Sequence, residues 1–519
     1  MNKALACLTF LLLAFSLVSC SEEKPVVSPL QNLVPKPAKA TEDTGRFVID
    51  NTTTISISDT SEALLKLGNY LSNFLKTPTG FDIVVSKIDG SKKAGNISLN
   101  LSATYASLGK EGYELHVSST EVSIKAFQPA GLFYGIQTLR QLLPNNIEAN
   151  SKQHDAFNIP ACHIKDQPEY GFRGSMLDVA RHFIKMEDVK RYIDLISFYK
   201  MNILHLHLSD DQGWRIEIKS WPALTSVGAT TSVNGDRPGF YTQEQYKEII
   251  RYAADRFITI IPEIDMPGHT NAALASYANL NCNDTATKLY TGIEVGFSSL
   301  CTKKEITYTF LNDVVRELAE ITPGPWIHIG GDESHSTSKE DYIPFMEKVT
   351  AIVNSHGKQV IGWDEIAISK LPPNCLAQFW DNAENAQAAA KQGAKIIMSP
   401  AKRAYLDMQY DSTTKLGLHW AAYVEVDSAY NWDPASYIPS VSKENVMGVE
   451  APLWSETITS MNDIEYMCFP RVIGIAEIGW SAPANRNWAE YKVRLGNHAG
   501  RLKTLKIDYY KSKLVPWQD

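Results

Sequence analysis

The sequence predicts an α/β protein: a (β/α)8 barrel over residues 166–519, preceded by a smaller α/β domain over residues 45–165. Three observations carry this. All eleven tryptophans lie beyond residue 165, the first being Trp214, which marks a composition break. Beyond the break, eight short apolar segments alternate with helical patterns, as a strand–helix barrel requires. Nearly every one of those segments ends in a carboxylate or a tryptophan. An open doubly wound sheet would also alternate, but neither a G-x-G-x-x-G nor a P-loop is present to support one.

The elements follow in chain order. Lys3 precedes the apolar run "ALACLTFLLLAFSLV", and "LVSC" ends it at Cys20. This resembles a bacterial lipoprotein signal, which implies cleavage before Cys20, lipidation of that residue and loss of Cys7. Residues 21–44 are rich in Pro, Ser and charge and predict a flexible tether. The expectation is a body held at the bacterial cell envelope by lipid alone, since no other segment is long and apolar enough to span a bilayer. In the smaller domain, "RFVIDNTTTISIS", "GNISLNLS" and "YELHVSSTEVSIKAF" alternate with period two and predict strands. "SEALLKLGNYLSNFL" carries apolar residues at 64, 67, 71 and 75 behind a candidate N-cap, Ser61, and "GLFYGIQTLRQLL" predicts a second helix.

In the barrel region the predicted strands are "FRGSMLDVA", "NILHLHLSD", "TIIPEID", "WIHIGG", "KQVIGWDE", "CLAQFWD", "AKIIMSP" and "VMGVEAPLWSE". Helical spacing appears between several of them, as in "MEDVKRYIDLISFYK", "TQEQYKEIIRYAADRF", "TYTFLNDVVRELAEI" and "ENAQAAAKQG". In a barrel the strands' C-terminal ends converge on one rim, where active sites form. The residues at those ends are Asp178 and Arg181; Ser209, Asp210 and Asp211; Asp265 and His269; Asp332 and Glu333; Trp363, Asp364 and Glu365; Trp380 and Asp381; Tyr405 and Asp407; and Trp454 and Glu456. Carboxylates interleaved with tryptophans suit a sugar, whose hydroxyls donate to carboxylates and whose CH faces stack on indoles.

The net charge of −8, from 50 basic and 58 acidic residues, gives no basic footprint for a nucleic acid. Among the cysteines beyond Cys20, Cys282 and Cys301 flank a loop-like stretch and are the candidate disulfide. Cys162, Cys375 and Cys468 are expected as buried small hydrophobes.

The ordered set "FRGSMLDVARHF", "NILHLHLSDDQGWRIEI", "PEIDMPGHT", "HIGGDE", "GWDE", "APLWSE" and "RVIGIAEIGWS" resembles the successive barrel motifs of the family 20 glycoside hydrolases, the β-N-acetylhexosaminidases. "GLFYGIQTLRQLL" is similar to the end of the domain that precedes their barrel. The resemblance implies retaining removal of a terminal N-acetylhexosamine from an oligosaccharide or glycoconjugate. It also implies substrate-assisted catalysis, this family's exception to the two-carboxylate rule. Glu333 is then the general acid and base. The substrate's acetamido oxygen is the nucleophile, forming an oxazolinium ion, and Asp332 accepts the acetamido N–H. Arg181 and Asp210 match a pair that binds hydroxyls and supports the acid, and Asp265 and His269 match residues that tune it. Trp363, Trp380 and Trp454 should wall the pocket, with Glu456 and Asp407 binding hydroxyls and Tyr405 donating to the acetamido oxygen. His328 is expected as a supporting residue. Gly330 and Gly331 let the backbone pass close to the sugar. This division of labour predicts a raised pKa for Glu333 and an ionised Asp332. The reading calls for no cofactor and no metal.

Two other readings compete. "HLHLSDD" places His205 and His207 on one strand face, a pattern that a metal-dependent barrel hydrolase would use; chelation and zinc restoration would reveal it. A non-catalytic carbohydrate-binding lipoprotein could use the same aromatic rim, and would bind without turnover.

Overall fold

The computed structural model describes residues 28–88 and 95–518. Cys7, Cys20 and the expected signal segment lie outside the described residues, as do residues 21–27 of the expected tether. From residue 28 onward the tether expectation is corrected. Pro29–Asn32 forms a 3-10 turn, Leu33 and Val34 are buried, and β1 (Lys39–Ile49) begins inside the stretch read as a linker. The Val34 amide donates to Gln141 Oε1 at 2.9 Å and the Lys36 amide to Glu477 Oε2 at 2.9 Å, which pins the segment to both halves of the molecule. The first eight residues of β1 are exposed, so they carry no hydrophobic period by which a strand could be recognised.

After β1 come β2 (Thr54–Ile57), β3 (Val85–Lys87), β4 (Asn96–Leu101), β5 (Tyr113–Val117), β6 (Glu121–Ala126) and β7 (Phe157–Asp166). They form one sheet in the order β1-β7-β5-β6-β4-β2-β3. Two helices pack on it, α1 (Glu62–Thr79) and α2 (Pro129–Leu142). Leu64, Leu67, Leu71 and Leu75 of α1 are all buried, which is the predicted stripe. Ser61 occupies the N-cap position of α1, but its side chain makes no capping bond.

The barrel strands are β8 (Phe172–Asp178), β9 (Ile203–His207), β12 (Thr259–Glu263), β13 (Trp326–His328), β14 (Gln359–Trp363), β15 (Leu376–Phe379), β16 (Lys395–Met398) and β17 (Val446–Leu453). A two-stranded ribbon, β10 (Ser209–Asp210) and β11 (Gly213–Trp214), follows β9. The eight barrel strands pair in parallel and close in the order β12-β13-β14-β15-β16-β17-β8-β9. Each falls within one of the eight segments predicted from the sequence. α3 (Met186–Phe198) and the helices Gln243–Ala254, Glu305–Ile321 and Ala383–Lys391 occupy the predicted helical patterns between them. An apolar cluster that includes Phe172, Ile203, Ile261 and Ile361 plugs the N-terminal end of the barrel. No helix among the described residues is long and apolar enough to cross a membrane.

The two halves share a buried polar seam. Asp166, at the end of β7, accepts from Tyr113 Oη at 2.7 Å, Lys200 Nζ at 3.0 Å and Trp480 Nε1 at 3.0 Å. Nearby, Arg173 of β8 donates to both oxygens of Glu111, at 3.0 and 2.8 Å. Such a pair is costly to break, because removing one partner strands a charge away from water. Asp166→Ala is therefore expected to lower unfolding free energy by about 3–5 kcal/mol, the range for a broken buried pair. Urea titration checks this, and Lys200→Met in the same chain should recover part of the loss by removing the stranded ammonium.

Candidate active site

The strand ends do converge. At the C-terminal rim a cavity of about 190 Å³ is lined by Asp332, Glu333, Arg181, Glu456 and Tyr405 and walled by Trp380 and Trp454. That volume is below the several hundred Å³ of an ordinary drug-sized site and suits one sugar ring rather than a chain. Larger cavities lie elsewhere, one of about 890 Å³ between residues 30–42 and 485–494. Of its charged groups Lys36 pairs with Glu490 and Arg494 with Glu477, and its lining holds no adjacent carboxylates walled by tryptophans.

The Gly-Gly turn after β13 sets the two carboxylates. Gly330 and Gly331 have φ of 61° and 103°, and a Cβ on Gly330 would lie 1.7 Å from Asp265 Oδ1. The turn is fixed by the Gly331 amide, which donates to Asp265 Oδ1 at 3.0 Å, and by Tyr342 Oη, which donates to the Gly331 carbonyl at 2.6 Å. Glu333 itself has φ 42° and His269 φ 54°, a left-handed backbone uncommon outside glycine and concentrated at functional sites. His328 Nδ1 lies 3.1 Å from the Gly330 amide and 3.0 Å from Glu263, so His328 sits beneath this turn.

A chain of charge leads to Glu333. Arg181 Nη2 meets Asp210 Oδ2 at 2.8 Å, His207 Nε2 meets the same oxygen at 2.9 Å, and His269 Nδ1 stands 3.3 Å from Asp210 Oδ1. The other nitrogen of His269 lies 3.5 Å from Glu333 and 3.7 Å from Asp332. Burial opposes the charge on His269, but Asp210 and Asp265 outweigh it and hold the imidazole well above its ordinary pKa. Burial raises Asp265 to about 7.

The two neighbours titrate in the direction opposite to that expected from sequence. Burial would raise Glu333, yet His269, whose Nε2 stands 3.5 Å from it, outweighs burial and leaves the carboxyl below its ordinary value. Asp332 is pushed well above its ordinary value, by burial first and then by Asp265. The reason is partnership: Glu333 has a protonated histidine at hand, whereas Asp332 Oδ1 is buried without a hydrogen-bond partner among the described residues. An orphaned buried acceptor carries a cost that a donor entering the cavity would relieve.

The remaining predicted residues divide into wall and support. Trp454 lies under Arg181, whose guanidinium carbon is 4.8 Å from the ring centre. Trp363 is wholly buried behind it, centroids 5.6 Å apart, and forms the floor rather than the surface. Trp380 is held by Glu365, which accepts from its Nε1 at 3.0 Å, and by Asp364, which accepts from its amide at 3.1 Å. These two rim carboxylates therefore serve the indole. Asp407 is buried, with neither oxygen hydrogen-bonded among the described residues. Burial and then Glu456 raise its pKa well above normal.

Four lining residues, Ile293, Val295, Leu418 and Trp420, escaped the sequence reading. Trp420 lines the cavity and stacks edge-on to Trp380 at 5.9 Å, and Ile293 and Val295 line it as well. Ile293 and Val295 ride on the stretch between Cys282 and Cys301, which are disulfide-bonded with Cα atoms 4.9 Å apart. That stretch is latched by Ser298 Oγ, which donates to Asp211 at 2.5 Å. Cys162, Cys375 and Cys468 are free and buried.

His205 and His207, the pair on which the metal reading rests, each stand between two carboxylates. His205 meets Glu450 at 2.9 Å and Glu263 at 3.0 Å, and His207 meets Glu263 at 2.5 Å and Asp210 at 2.9 Å, so a carboxylate stands against every ring nitrogen of the pair.

Comparison with known proteins identifies the family. The family model for the glycosyl hydrolase family 20 catalytic domain matches residues 170–483, and that for domain 2 of the same family matches residues 30–167. A β-N-acetylhexosaminidase of Cellulomonas fimi is 40% identical over 93% of this chain and 97% of its own length. A β-hexosaminidase of Porphyromonas gingivalis is 35% identical over 97% of this chain and 68% of its own. Among solved structures, a mutant Streptomyces plicatus β-hexosaminidase in complex with product GlcNAc superposes with TM-score 0.92 and 47% identity, covering 95% of this chain and 99% of that one. The family 20 enzyme of Streptomyces coelicolor A3(2) gives TM-score 0.91 at 46% identity, covering 94% and 99%. With both family models matched along nearly the whole described chain, and a cavity that gathers the acid pair and its aromatic walls, this protein belongs to glycosyl hydrolase family 20, the β-N-acetylhexosaminidases.

Proposed function

We propose that the protein removes a terminal, non-reducing, β-linked N-acetylhexosamine with retention of configuration, by substrate-assisted catalysis. The carrying observation is that Asp332 and Glu333, adjacent on one strained turn, approach the same nitrogen of His269, while Asp332 keeps an unpaired buried oxygen. Carboxyls grouped on one histidine are poorly disposed to flank a glycosidic bond as acid and nucleophile. They are well disposed to hold an N-acetyl group and deliver a proton beside it. The GlcNAc bound in the Streptomyces plicatus relative supports a sugar of this class.

In the first step Glu333 gives its proton to the glycosidic oxygen as the C1–O bond breaks, and the acetamido oxygen bonds to C1 from the opposite face. The oxazolinium ion so formed is cationic, and its N–H donates to Asp332. Tyr405 donates to the acetamido oxygen and orients it. Water then attacks C1, Glu333 takes its proton, and the C1–oxazolinium oxygen bond breaks; two inversions give net retention. Substrate also reverses the pKa order of the free enzyme. The N–H bond favours ionised Asp332, and displacement of water by the aglycone disfavours ionised Glu333. We further propose that Cys20 carries lipid and holds the enzyme at the cell envelope, on the sequence "LVSC" alone.

Glu333→Gln should lower kcat on a chromogenic N-acetyl-β-glucosaminide by about 10²–10⁴-fold, the share of positioned acid–base catalysis, with ligand binding largely kept. Asp332→Asn should also cost heavily. A thiazoline analogue of the bicyclic ion should inhibit, and proton NMR should show the β-anomer released first; initial release of the α-anomer rules the mechanism out. The pH dependence of binding has a definite sign. Asp332 is raised in the free enzyme, and the ligand favours its anion. Affinity for N-acetylglucosamine should thus fall about tenfold per pH unit below the Asp332 pKa, which lies above the usual carboxylate range. Calorimetry on wild type and Asp332→Asn tests this, the slope disappearing in the variant. Cys20→Ala should move the enzyme from the membrane fraction to the soluble one on cell fractionation.

A further inference from the structure

Beneath the reacting groups, the barrel interior holds a buried carboxylate that the reaction scheme leaves unused. Glu263, at the end of β12, is wholly buried and faces four side chains. His207 Nδ1 lies 2.5 Å from it, His205 Nε2 3.0 Å, His328 Nδ1 3.0 Å and Trp363 Nε1 2.9 Å. Two of these lead straight into the site. His207 passes on to Asp210, and Asp210 to Arg181 and His269; Trp363 is the floor behind Trp454.

We propose that Glu263 is the positioning residue of this hydrolase, one carboxylate that fixes both the acid–base relay through His207 and Asp210 and the pocket floor through Trp363. The inference rests on Glu333 being the proton donor. The chemistry of His207 carries it. Its two ring nitrogens face two carboxylates, Glu263 and Asp210, and an imidazole can donate to both only when it bears both protons. Burial works against that cation, and Glu263 is the largest influence sustaining it. The other groups against His207 are Asp178 of β8, Asp265 beyond the end of β12, and the ring of Trp454, at 4.9 Å. Glu263 in turn faces the three histidines, with Asp265 and Asp332 above it, and Glu450 of β17 on the far side of His205.

Exchanging Glu263 for an amide removes the charge and keeps the shape. His207 then retains one proton, and its bare nitrogen faces either the amide or Asp210. If it faces Asp210, the repulsion frees the carboxylate that orients and charges His269. With less charge on His269, Glu333 is held down less.

The test is a pH profile of kcat/KM for wild type, Glu263→Gln, Glu263→Asp and Glu450→Gln, with wild type and Glu333→Gln measured first in the same assay. That pair alone decides whether Glu333 is the donor, so failure of the reaction scheme is seen separately. Glu263→Gln should lose about 10–100-fold in kcat, part of the acid–base contribution, and its alkaline limb should move to higher pH. Glu263→Asp should recover part of both effects. Glu450→Gln, which also strands His205 but does not touch His207 or Trp363, should leave the limb where it is. A limb that stays fixed in Glu263→Gln, or one that moves equally in Glu450→Gln, overturns the proposal. If Glu263→Gln does not accumulate folded, His207→Gln leaves the other three contacts in place and is read by the same limb.

Discussion

Everything at this site depends on how a barrel interior tolerates so many carboxylates. Asp178, Asp210, Glu263, Asp265, Asp332 and Glu450 are all buried in or above one barrel. An unpaired ion there costs several kcal/mol after relaxation, so the number that can remain ionised is set by the cations supplied. The protein supplies Arg181, His205, His207 and His269 and threads them between the anions. From the barrel centre outward the order is Glu450, His205, Glu263, His207, Asp210, then Arg181 and His269 together, then Glu333. Each histidine stands between carboxylates, which is what raises His205 to about 9 and His207 well above its ordinary value, although burial pushes both the other way.

The alternation runs out at Asp332. Its closest histidine contact is His269 Nε2 at 3.7 Å, and that nitrogen is nearer to Glu333. The turn that puts the two carboxylates side by side also denies Asp332 a partner of its own. Its left-handed residues, Gly330, Gly331 and Glu333, would not hold such a shape unaided, since non-glycine positions of this kind cost of order 1–3 kcal/mol. The Gly331 amide on Asp265 and Tyr342 on the Gly331 carbonyl hold it, so an ionisable member of the network is also a structural clamp.

The same physics explains what the sequence discloses and what it hides. Barrel strands are short and buried on both faces, so they stand out as apolar runs, and their polar residues gather at one end, where Asp332, Glu333 and Trp454 were legible. β7 was missed because Pro160 interrupts it. The structure tolerates that proline because β7 pairs with β5 only from Cys162 onward, so at Pro160 just one neighbour, β1, is present. Residues 28–44 looked like linker because β1 is exposed for most of its length. Trp420, Ile293 and Val295 sit on loops, where no period marks a direction. The roles of Asp364 and Glu365 in holding Trp380, and the opposite pKa directions of Asp332 and Glu333, are matters of neighbours far apart in sequence. Glu333 alone looks like an acid needing apolar surroundings; only with His269 beside it, charged by Asp210, does the sign reverse.

That reversal bears on how a substrate-supplied nucleophile changes the demands on a hydrolase. An enzyme that forms its own glycosyl ester must keep one carboxylate ionised and exposed to attack, and protonate the other, before anything binds. In the proposed mechanism the nucleophile arrives with the sugar, so the free enzyme can rest in a different state: Asp332 favoured neutral because it has no partner, Glu333 favoured ionised because His269 stands beside it. On that scheme the acetamido group would bring the donor that Asp332 lacks, and the aglycone would remove water from Glu333. His269 lies within 3.7 Å of both carboxylates, so the required exchange of protonation spans one imidazole. Under the proposed mechanism, selectivity for the acetamido group would follow from electrostatics as well as fit. A sugar without an N–H to offer leaves Asp332 unpaired and gives the site no reason to shift its proton toward the leaving group.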